Sequence, residues 1–270
     1  MIPAHIQALI LDMDGVLWRG DAPIGDLPRI FERIRSRRLK FAFATNNGTR
    51  TPEMYVERLA SFGVVAEPWQ VVTSAQAAAE LVAQQVSPLP KGEAGEVRGK
   101  VFAIGEAGVM EALRAKGLEP LPIERAAEAQ AVVAGIDRQI NFQKMVEAAL
   151  LIRRGLPFIA TNPDKTFPTP RGEIPGAGAW VAVLVTATGR EPVYAGKPAP
   201  ALLELARTRL GTPTAATLVV GDRLETDIAA AQAAGMPCAL VLSGVSTRAQ
   251  AEGWKPAVDV IAADLGELVG

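Results

Sequence analysis

The sequence predicts an α/β protein with a doubly wound parallel sheet at its core and a smaller α/β region inserted into it. Short β-rich runs alternate with helical segments along nearly all of the 270 residues, and this alternation is typical of a parallel sheet with helices on both faces. With 49% apolar and 21% charged residues, the composition indicates a globular chain with one large domain or two modest ones.

The predicted strands and helices follow one another in a regular order. The strands are short apolar runs: ALIL, FAFAT, VVTS, VFAIG, AVVAG, PFIATN, VYAG, ATLVVG and CALVLSG. The helices are longer segments: LPRIFERIRSRRL, EMYVERLASFG, AQAAAELVAQQ, AGVMEALRAKG, FQKMVEAALLIRRG, AWVAVLVTA, PALLELARTRLG and TDIAAAQAAG. Pro52 and Gly63 bound the second helix, since proline suits a first helical position and glycine a helix end. Residues 85–100 have prolines, glycines and charges without an apolar period, which predicts an exposed loop.

Composition argues against several classes of function. A net charge of -1 gives no basic surface for a nucleic acid polymer. The longest apolar run, AWVAVLVTA, is too short to cross a membrane, and the N-terminus lacks a secretory pattern. The single cysteine, Cys238, is expected in the core and fits a reducing compartment, so we predict a cytoplasmic location. Because His5 is the single histidine, carboxylates, lysine and hydroxyls are expected to carry any chemistry.

Polar side chains follow four of the predicted strands at the point where each strand ends. They are Asp12 and Asp14 after ALIL, Thr45, Asn46 and Asn47 at FAFAT, Lys197 after VYAG, and Asp222 with Asp227 after ATLVVG. Taken singly, each has a plain structural explanation as a turn, a strand residue, a helix start or a solvated lysine. Because ligands of doubly wound sheets bind beyond the carboxyl ends of the strands, we expect all four strand ends to lie at one edge of one sheet.

The charges of this set predict a bound cation. Four carboxylates, those of Asp12, Asp14, Asp222 and Asp227, accompany one ammonium group, that of Lys197. Such a cluster requires a cation, raised pKa values, or both. Oxygen ligands without histidine or cysteine favour Mg²⁺ over zinc, and Mg²⁺ held by few carboxylates commonly binds a substrate phosphate as well.

The same stretches resemble the four motifs of haloacid dehalogenase-like phosphatases, in the same order: DMDGVLWRG, TNNGTRT, GKP and GDRLETD. The chain is similar to the branch that contains p-nitrophenyl phosphatases, phosphoglycolate phosphatases and the N-acetylglucosamine-operon nucleotide phosphatase. That branch has a large α/β cap between its second and third motifs, and VFAIGEAGVMEAL, VVAGIDRQINFQKM and ATNPDKTFPTPRGEIPGAGAW resemble the cap. The resemblance implies a Rossmann-like core at 1–77 and 189–270 with the cap at 78–188.

The resemblance also implies a role for each acid. Asp12 would be the nucleophile that forms an aspartyl-phosphate. Asp14 would protonate the leaving oxygen and then activate water. Mg²⁺ would be bound by Asp12, the main-chain oxygen of Asp14 and Asp222, while Asp227 would act on the metal through water or orient its ligands.

The phosphate and the remainder of the substrate would have separate contacts. Four residues are implied to hold the phosphoryl group: Thr45, Asn46, Asn47 and Lys197. Three residues of the cap are candidates for a loop over the substrate: Asn162, Asp164 and Lys165. A simple turn formed by asparagine, proline and aspartate explains those three equally well.

The sequence leaves the reaction and the substrate partly open. A phosphotransferase would use the same aspartyl-phosphate but pass the group to an alcohol, and a phosphate-sensing module would combine an aspartate, a threonine and a lysine without turnover. Asp14, two residues after Asp12, favours an enzyme. The predicted partner is a small phosphorylated metabolite, with phosphoglycolate, nucleotide monophosphates, sugar phosphates and pyridoxal phosphate as alternatives. Cap-mediated dimers occur among relatives, so a homodimer through the cap is a further open expectation.

Overall fold

The computed structural model of the protein describes residues 2–86, 99–169 and 171–270, and most of the loop predicted at 85–100 lies outside the described residues. The chain forms two compact units. The first unit consists of Met1–Thr45, Pro52–Val72 and Lys197–Gly270, and the second of Asn46–Thr51 and Thr73–Gly196. The domain boundaries expected from the sequence, 1–77, 78–188 and 189–270, stay a prediction.

The strands and helices follow the order that the sequence predicts, with several short elements added. The strands are β1 (Ala8–Leu11), β2 (Trp18–Arg19), β3 (Ala22–Pro23), β4 (Lys40–Thr45), β5 (Val71–Thr73), β6 (Gly99–Ile104), β7 (Leu118–Leu121), β8 (Ala131–Ala134), β9 (Phe158–Ala160), β10 (Thr166–Thr169), β11 (Gly172–Pro175), β12 (Val193–Tyr194), β13 (Thr217–Gly221), β14 (Cys238–Val241) and β15 (Val260–Ala262). The helices are α1 (Leu27–Ser36), α2 (Pro52–Ser61), α3 (Ser74–Gln85), α4 (Ala107–Ala115), α5 (Phe142–Arg153), α6 (Ala177–Thr188), α7 (Ala201–Leu210), α8 (Ala229–Ala233), α9 (Arg248–Gly253) and α10 (Leu265–Val269). Across the described ranges, every helix falls short of the length or the apolar character that crossing a bilayer requires.

The sheet of the first unit has the strand order β15-β14-β13-β1-β4-β5. β1 lies near its middle and pairs in parallel with β13 on one side and with β4 on the other. Every residue of β1 is buried, as expected for a parallel strand that is covered on both faces. This burial explains why the strand appears in the sequence as an unbroken apolar run.

Aromatic packing fixes β4 against helix α1. Helix α1 begins after Asp26, whose carboxylate accepts a hydrogen bond from the N–H of Arg29 at 3.2 Å. The ring of Phe31 on this helix lies 5.1 Å from the ring of Phe41 and 5.8 Å from that of Phe43, centroid to centroid. Burying each such side chain contributes about 2–3 kcal/mol, so the strand that ends at the predicted phosphate-binding segment is firmly held.

The second unit has its own parallel sheet, with the strand order β12-β9-β8-β6-β7. Its central pairs β6–β8 and β8–β9 are parallel, and residues from α5 and α6 complete a separate apolar core. The α/β fold class with two parallel sheets is therefore confirmed.

One expected strand end belongs to the other sheet. We expected VYAG to end at the same edge of the same sheet as β1, β4 and β13, and this expectation is wrong. β12 pairs with β9 in the second unit, where Val193 faces Ile159 and Tyr194 faces Ala160. A two-residue strand carries too little pattern to reveal which sheet it joins, because long-range pairing decides the partner. Lys197 follows shortly after β12, where the chain enters the first unit.

Candidate functional site

Asp12 lies directly beyond the carboxyl end of β1, in the sheet of the first unit. Its N–H donates to the carbonyl oxygen of Val220 at 2.9 Å, so the neighbouring strand β13 still holds the main chain at this point. The side chain of Asp12 is 13% exposed. A carboxylate with so little access to water is costly to ionise unless a cation lies close to it.

The cation beside Asp12 is Lys197, whose side chain is 3% exposed. Its Nζ lies 2.5 Å from Asp12 Oδ1, 2.6 Å from Asp227 Oδ1 and 3.0 Å from the carbonyl oxygen of Ala44. Burial alone lowers the pKa of an ammonium group, but the charges of Asp12 and Asp227 outweigh it and raise the pKa of Lys197. Lys197 is therefore charged at neutral pH and contacts two carboxylates at once.

Asp222 and Asp227 come from the segment after β13. Asp222 directly follows the strand, and its Oδ2 accepts a hydrogen bond from the N–H of Val245 at 2.8 Å. Asp227 lies just before α8 in a turn of π-helix over Leu224–Ile228, a wide turn that is frequent at functional sites. Its Oδ2 accepts a hydrogen bond from the N–H of Arg223 at 3.1 Å. Each carboxylate is thus oriented by a main-chain donor.

Glycines leave the space that these carboxylates occupy. A Cβ at Gly15 or at Gly244 would overlap Asp222 Oδ2, and a Cβ at Gly221 would overlap the side chain of Asp227. Gly15 also has φ +86°, a conformation that L residues rarely adopt. The main chain can therefore approach the acids only because these positions lack side chains.

Burial and mutual repulsion raise the pKa values of two of the acids. Burial raises the pKa of Asp12 well above its usual value; Lys197 opposes this rise, whereas Asp227 and Asp222 add to it. Burial and the charge of Asp227 raise the pKa of Asp222 to about 6, although the N–H of Val245 acts in the opposite direction. One ammonium group is therefore insufficient to hold all of these carboxylates in their ionised form.

The same carboxylates fit a divalent cation. One oxygen each from Asp12, Asp222 and Asp227 lie within 4.8 Å of one another. Carboxylate oxygens are the ligands that Mg²⁺ prefers, and a bound dication would restore the ionised forms that burial disfavours. The donor set of the first unit is thus suited to the metal that the sequence predicts.

Asp14 differs from these three acids because it is exposed. Its Oδ1 accepts a hydrogen bond from the indole Nε1–H of Trp18 at 2.9 Å. An exposed carboxylate close in sequence to a buried one can exchange a proton with a bound molecule or with water. The two acids of the DMDG motif therefore have different surroundings and are suited to different tasks.

The three residues at the end of β4 are divided between the units. Thr45 ends the strand and is buried in the first unit. Asn46 and Asn47 follow it in the chain but belong to the second unit. There, Asn46 Nδ2 donates to Asp164 Oδ2 at 3.1 Å, and Asn47 Oδ1 accepts hydrogen bonds from the N–H and Oγ1 of Thr49 at 3.1 and 2.7 Å. A phosphate-binding role for all three stays a prediction.

The segment after β9 in the second unit carries the predicted cap loop. Asn162 Nδ2 donates to the carbonyl oxygen of Asn46 at 2.7 Å. Asn162 Oδ1 accepts a hydrogen bond from the N–H of Asp164 at 3.1 Å, which is the turn that the sequence offered as an alternative. Lys165 is exposed. Asn162 and Asp164 thus hold this segment against Asn46, and contact of the three residues with a substrate stays a prediction.

The loop that follows β14 also borders the acids, although it is not among the predicted site segments. Ser243 Oγ donates to the carbonyl oxygen of Gly15 at 2.7 Å, and Gly244 leaves space for Asp222. A signal was present, because LSG follows the strand that neighbours β13 in the sheet. A small polar residue and a glycine at that position indicate close approach to the acids.

Two family models match the chain. A model described as haloacid dehalogenase-like hydrolase matches residues 9–119, and a second, described as HAD-hydrolase-like, matches residues 194–268. The first match includes Asp12, Asp14 and Thr45, and the second includes Lys197 and both later acids.

Known proteins are similar over nearly the whole chain. The 5'-nucleotidase YutF of Bacillus subtilis is 38% identical over 242 residues, which cover 90% of this chain and 89% of that protein. The structure of a glycerol phosphate phosphatase from Mycobacterium tuberculosis in complex with magnesium has a TM-score of 0.87 and 38% identity, covering 97% of this chain and 77% of that one. A p-nitrophenyl phosphatase from Archaeoglobus fulgidus has a TM-score of 0.86 and 34% identity, covering 98% of both chains.

Proposed function

We propose that this chain, which belongs to the haloacid dehalogenase-like hydrolase family, is a Mg²⁺-dependent phosphatase of small phosphorylated metabolites. The family that the four sequence motifs indicate is thereby confirmed. The relatives are named for the hydrolysis of phosphate monoesters, and one of them was crystallised with magnesium. These names support the reaction class and the metal for this chain.

One observation carries the proposal: Asp12 Oδ1 lies 2.5 Å from the buried ammonium group of Lys197, within a cluster of three carboxylates. A nearby cation favours the ionised form of Asp12, which is the nucleophilic form. The same cation can neutralise an incoming phosphate dianion. A purely structural ion pair would not need two further buried carboxylates beside it.

The first half-reaction transfers the phosphoryl group to the protein. A carboxylate oxygen of Asp12 bonds to phosphorus, and the bond between phosphorus and the leaving oxygen breaks. The electron pair of that bond stays on the leaving oxygen, which takes a proton from Asp14. The products are a free alcohol and an aspartyl-phosphate at Asp12.

The second half-reaction returns the protein to its starting state. Asp14, now ionised, takes a proton from a water molecule whose oxygen bonds to phosphorus. The bond between phosphorus and the Asp12 oxygen breaks, and its electron pair restores the carboxylate. Inorganic phosphate leaves, and Asp14 is again protonated for the next cycle.

The remaining residues bind the phosphoryl group and orient the ligands of the metal. Thr45, Asn46 and Asn47 donate hydrogen bonds to the transferring phosphoryl group, and Lys197 bridges this group and the nucleophile. Mg²⁺, held by the carboxylates of Asp12 and Asp222 and by the main-chain oxygen of Asp14, would supply positive charge against the phosphate oxygens. Asp227 orients these ligands.

The proposed substrates are small phosphate monoesters, in keeping with the nucleotide, glycerol phosphate and p-nitrophenyl phosphate esters for which relatives are named. The cap loop of the second unit would select among them. The cytoplasmic location and a homodimer through the cap stay predictions.

The test measures the intermediate as well as the product. We expect Mg²⁺-dependent release of p-nitrophenol from p-nitrophenyl phosphate, and acid-quenched enzyme should retain ³²P from a labelled substrate on Asp12. The variant Asp12→Asn should lose both signals, whereas Asp259→Asn, which alters an exposed acid elsewhere in the same unit, should keep them.

Other outcomes would reassign the function. Full turnover by Asp12→Asn would contradict the nucleophile assignment. A methyl phosphate product in the presence of methanol, formed faster than inorganic phosphate, would indicate a phosphotransferase. A stable labelled aspartate with negligible turnover would indicate a phosphate-sensing module.

A further inference from the structure

We infer that Trp18 is a positioning residue that holds the carboxylate of Asp14 in the direction needed to protonate a strongly basic leaving oxygen. Its indole Nε1–H donates to Asp14 Oδ1 at 2.9 Å. The indole is fully buried, whereas Asp14 is exposed. An exposed carboxylate would otherwise sample several rotamers, and a hydrogen bond from an immobile ring selects one of them. This inference rests on the proposed function, in which Asp14 is the acid.

The indole can serve as a fixed point because two side chains hold it. The guanidinium carbon of Arg58, on helix α2, lies 4.5 Å from the ring centroid of Trp18, within the range of a cation–π contact. The ring of Phe62 lies 5.7 Å away, centroid to centroid. Arg58 also donates to the carbonyl oxygen of Gly20 and lies 3.7 Å from Asp21. Helix α2 thereby contacts both β2 and the turn of the β2–β3 hairpin.

The main chain alone does not set the direction of the carboxylate. The N–H of Gly15 donates to the carbonyl oxygen of Trp18 at 2.8 Å, and the N–H of Leu17 donates to that of Met13 at 2.8 Å. These bonds close the loop and fix the Cα of Asp14. They do not restrain the side-chain torsions of Asp14. The hydrogen bond from the indole restrains these torsions.

If the carboxyl group of Asp14 points in the wrong direction, the hydrolysis of different esters should slow by different amounts. An alkoxide is a strong base, so its departure depends on a well-placed proton. p-Nitrophenolate is a stable anion and leaves with little help from an acid. With Oδ1 engaged by the indole, we assign proton transfer to Asp14 Oδ2, and loss of the indole N–H should therefore affect alkyl phosphates far more than p-nitrophenyl phosphate.

The experiment compares Trp18→Phe with Trp254→Phe on two substrates, glycerol 3-phosphate and p-nitrophenyl phosphate. Phenylalanine keeps an aromatic ring against Arg58 but removes the N–H. Trp254 is a matched control because its Nε1–H donates to a side-chain oxygen as well, that of Gln232, at 3.1 Å. The measured quantity is kcat/KM, which reports only the steps up to release of the alcohol.

We expect Trp18→Phe to lower kcat/KM for glycerol 3-phosphate by about 10–100-fold, through kcat rather than KM, and for p-nitrophenyl phosphate by less than about 3-fold. Trp254→Phe should change neither. An equal loss on both substrates, or no loss on either, would overturn the inference. A wild-type chain that hydrolyses neither ester would instead overturn the proposed function, and the inference with it.

A second variant covers the case in which phenylalanine disturbs folding. Benzothienylalanine at position 18 replaces the indole N–H by sulfur with almost no change of shape, and it should reproduce the selective loss. A measurement without turnover adds to this. The indole proton signal of Trp18 in a proton–nitrogen NMR spectrum should shift in Asp14→Ala, while those of Trp69, Trp180 and Trp254 stay in place; an unmoved Trp18 signal would contradict the hydrogen bond.

Discussion

Both units carry carboxylates beside cations and a parallel sheet, yet the pKa values shift in opposite directions. In the first unit, burial raises the pKa of Asp12 and brings that of Asp222 to about 6. In the second unit, hydrogen bonds from Arg125 and Lys100 lower the pKa of Glu128 to about 2. Glu128 is thus stabilised as an anion, whereas Asp12 and Asp222 are poorly compensated.

Burial is the main cause of the raised pKa values in the first unit, and the ratio of acids to cations adds to it. In the second unit, Asp137 is buried, as Asp222 and Asp227 are, but it has its own cation, Lys144, at 2.6 Å. In the first unit, Lys197 is shared between Asp12 and Asp227. A sheet edge with a balanced ion pair needs no ligand; an excess of buried carboxylates needs one. The imbalance of charge, rather than the sheet, distinguishes the candidate site.

The largest expected effect comes from removing the charge of Asp12, and the same change at Asp137 in the second unit is the comparison. We expect Asp12→Asn to lower kcat for p-nitrophenyl phosphate by about 10⁴-fold or more, because it removes the nucleophile, and Asp137→Asn to change it by less than about 3-fold. Steady-state assays at saturating Mg²⁺ measure both. A comparable loss in Asp137→Asn would show that the second unit has a catalytic acid as well, which would break the comparison.

Removing the cation from each unit should give the next largest effect. Lys197→Met leaves two carboxylates without their shared partner, so we expect kcat to fall about 10³-fold and the free energy of unfolding to fall by about 3 kcal/mol. Lys144→Met should leave kcat within about 3-fold. Urea unfolding and steady-state kinetics test this prediction, and equal kinetic losses in the two variants would contradict it.

The carboxylates of the two units should change the stability of the protein in opposite directions as pH rises. The pKa of Asp222 is about 6 in the folded chain against a usual value of 3.8, so between these values the folded chain binds more protons than the unfolded chain. The stability of metal-free protein therefore falls as pH rises through this window, by about 3 kcal/mol at about 1.4 kcal/mol per pKa unit. Urea unfolding in EDTA measures this slope, with Asp222→Asn as the reference that lacks the contribution of Asp222.

Glu128 supplies the opposite case for that measurement. Its pKa is lowered from 4.5 to about 2, so its contribution to stability is complete above pH 4.5 and is lost as pH falls through about 2. Glu128→Gln should therefore leave the slope between pH 4.5 and 6 unchanged. A wild-type slope that rises across this window would contradict the raised pKa of Asp222.

The smallest effect should come from a single methyl group. A Cβ at Gly244 would overlap Asp222 Oδ2, whereas a Cβ at Gly253 would meet no described atom within 4 Å. We expect Gly244→Ala to raise the Mg²⁺ concentration for half-maximal activity by about 10-fold, because a displaced carboxylate binds metal less well. Gly253→Ala should not change this concentration. Identical Mg²⁺ curves for the two variants would contradict the role of Gly244 in leaving space for Asp222.

The sequence predicts the first unit well because its strands are buried on both faces. ALIL and TLVVG are unbroken apolar runs, and the acids that follow them, Asp12 and Asp222, are therefore conspicuous. The sheet membership of VYAG could not be predicted, since two residues carry no pattern and the partner strand is distant in the chain. The same holds for Trp18 and Gly244, whose contacts with the acids depend on tertiary packing that composition and periodicity do not encode.

The order of the chain has a consequence for biosynthesis. On one side β1 pairs with β4, which is close to it in the sequence. On the other side it pairs with β13, which comes much later, so that Ala8 faces Thr217. As the chain leaves the ribosome at about 5–20 residues per second, all of the second unit emerges before β13 does. During that interval β1 has one unpaired edge, and Asp12 lacks the acids that share its cation. The active centre therefore forms only late in synthesis, and no nascent chain released before Asp227 can carry it.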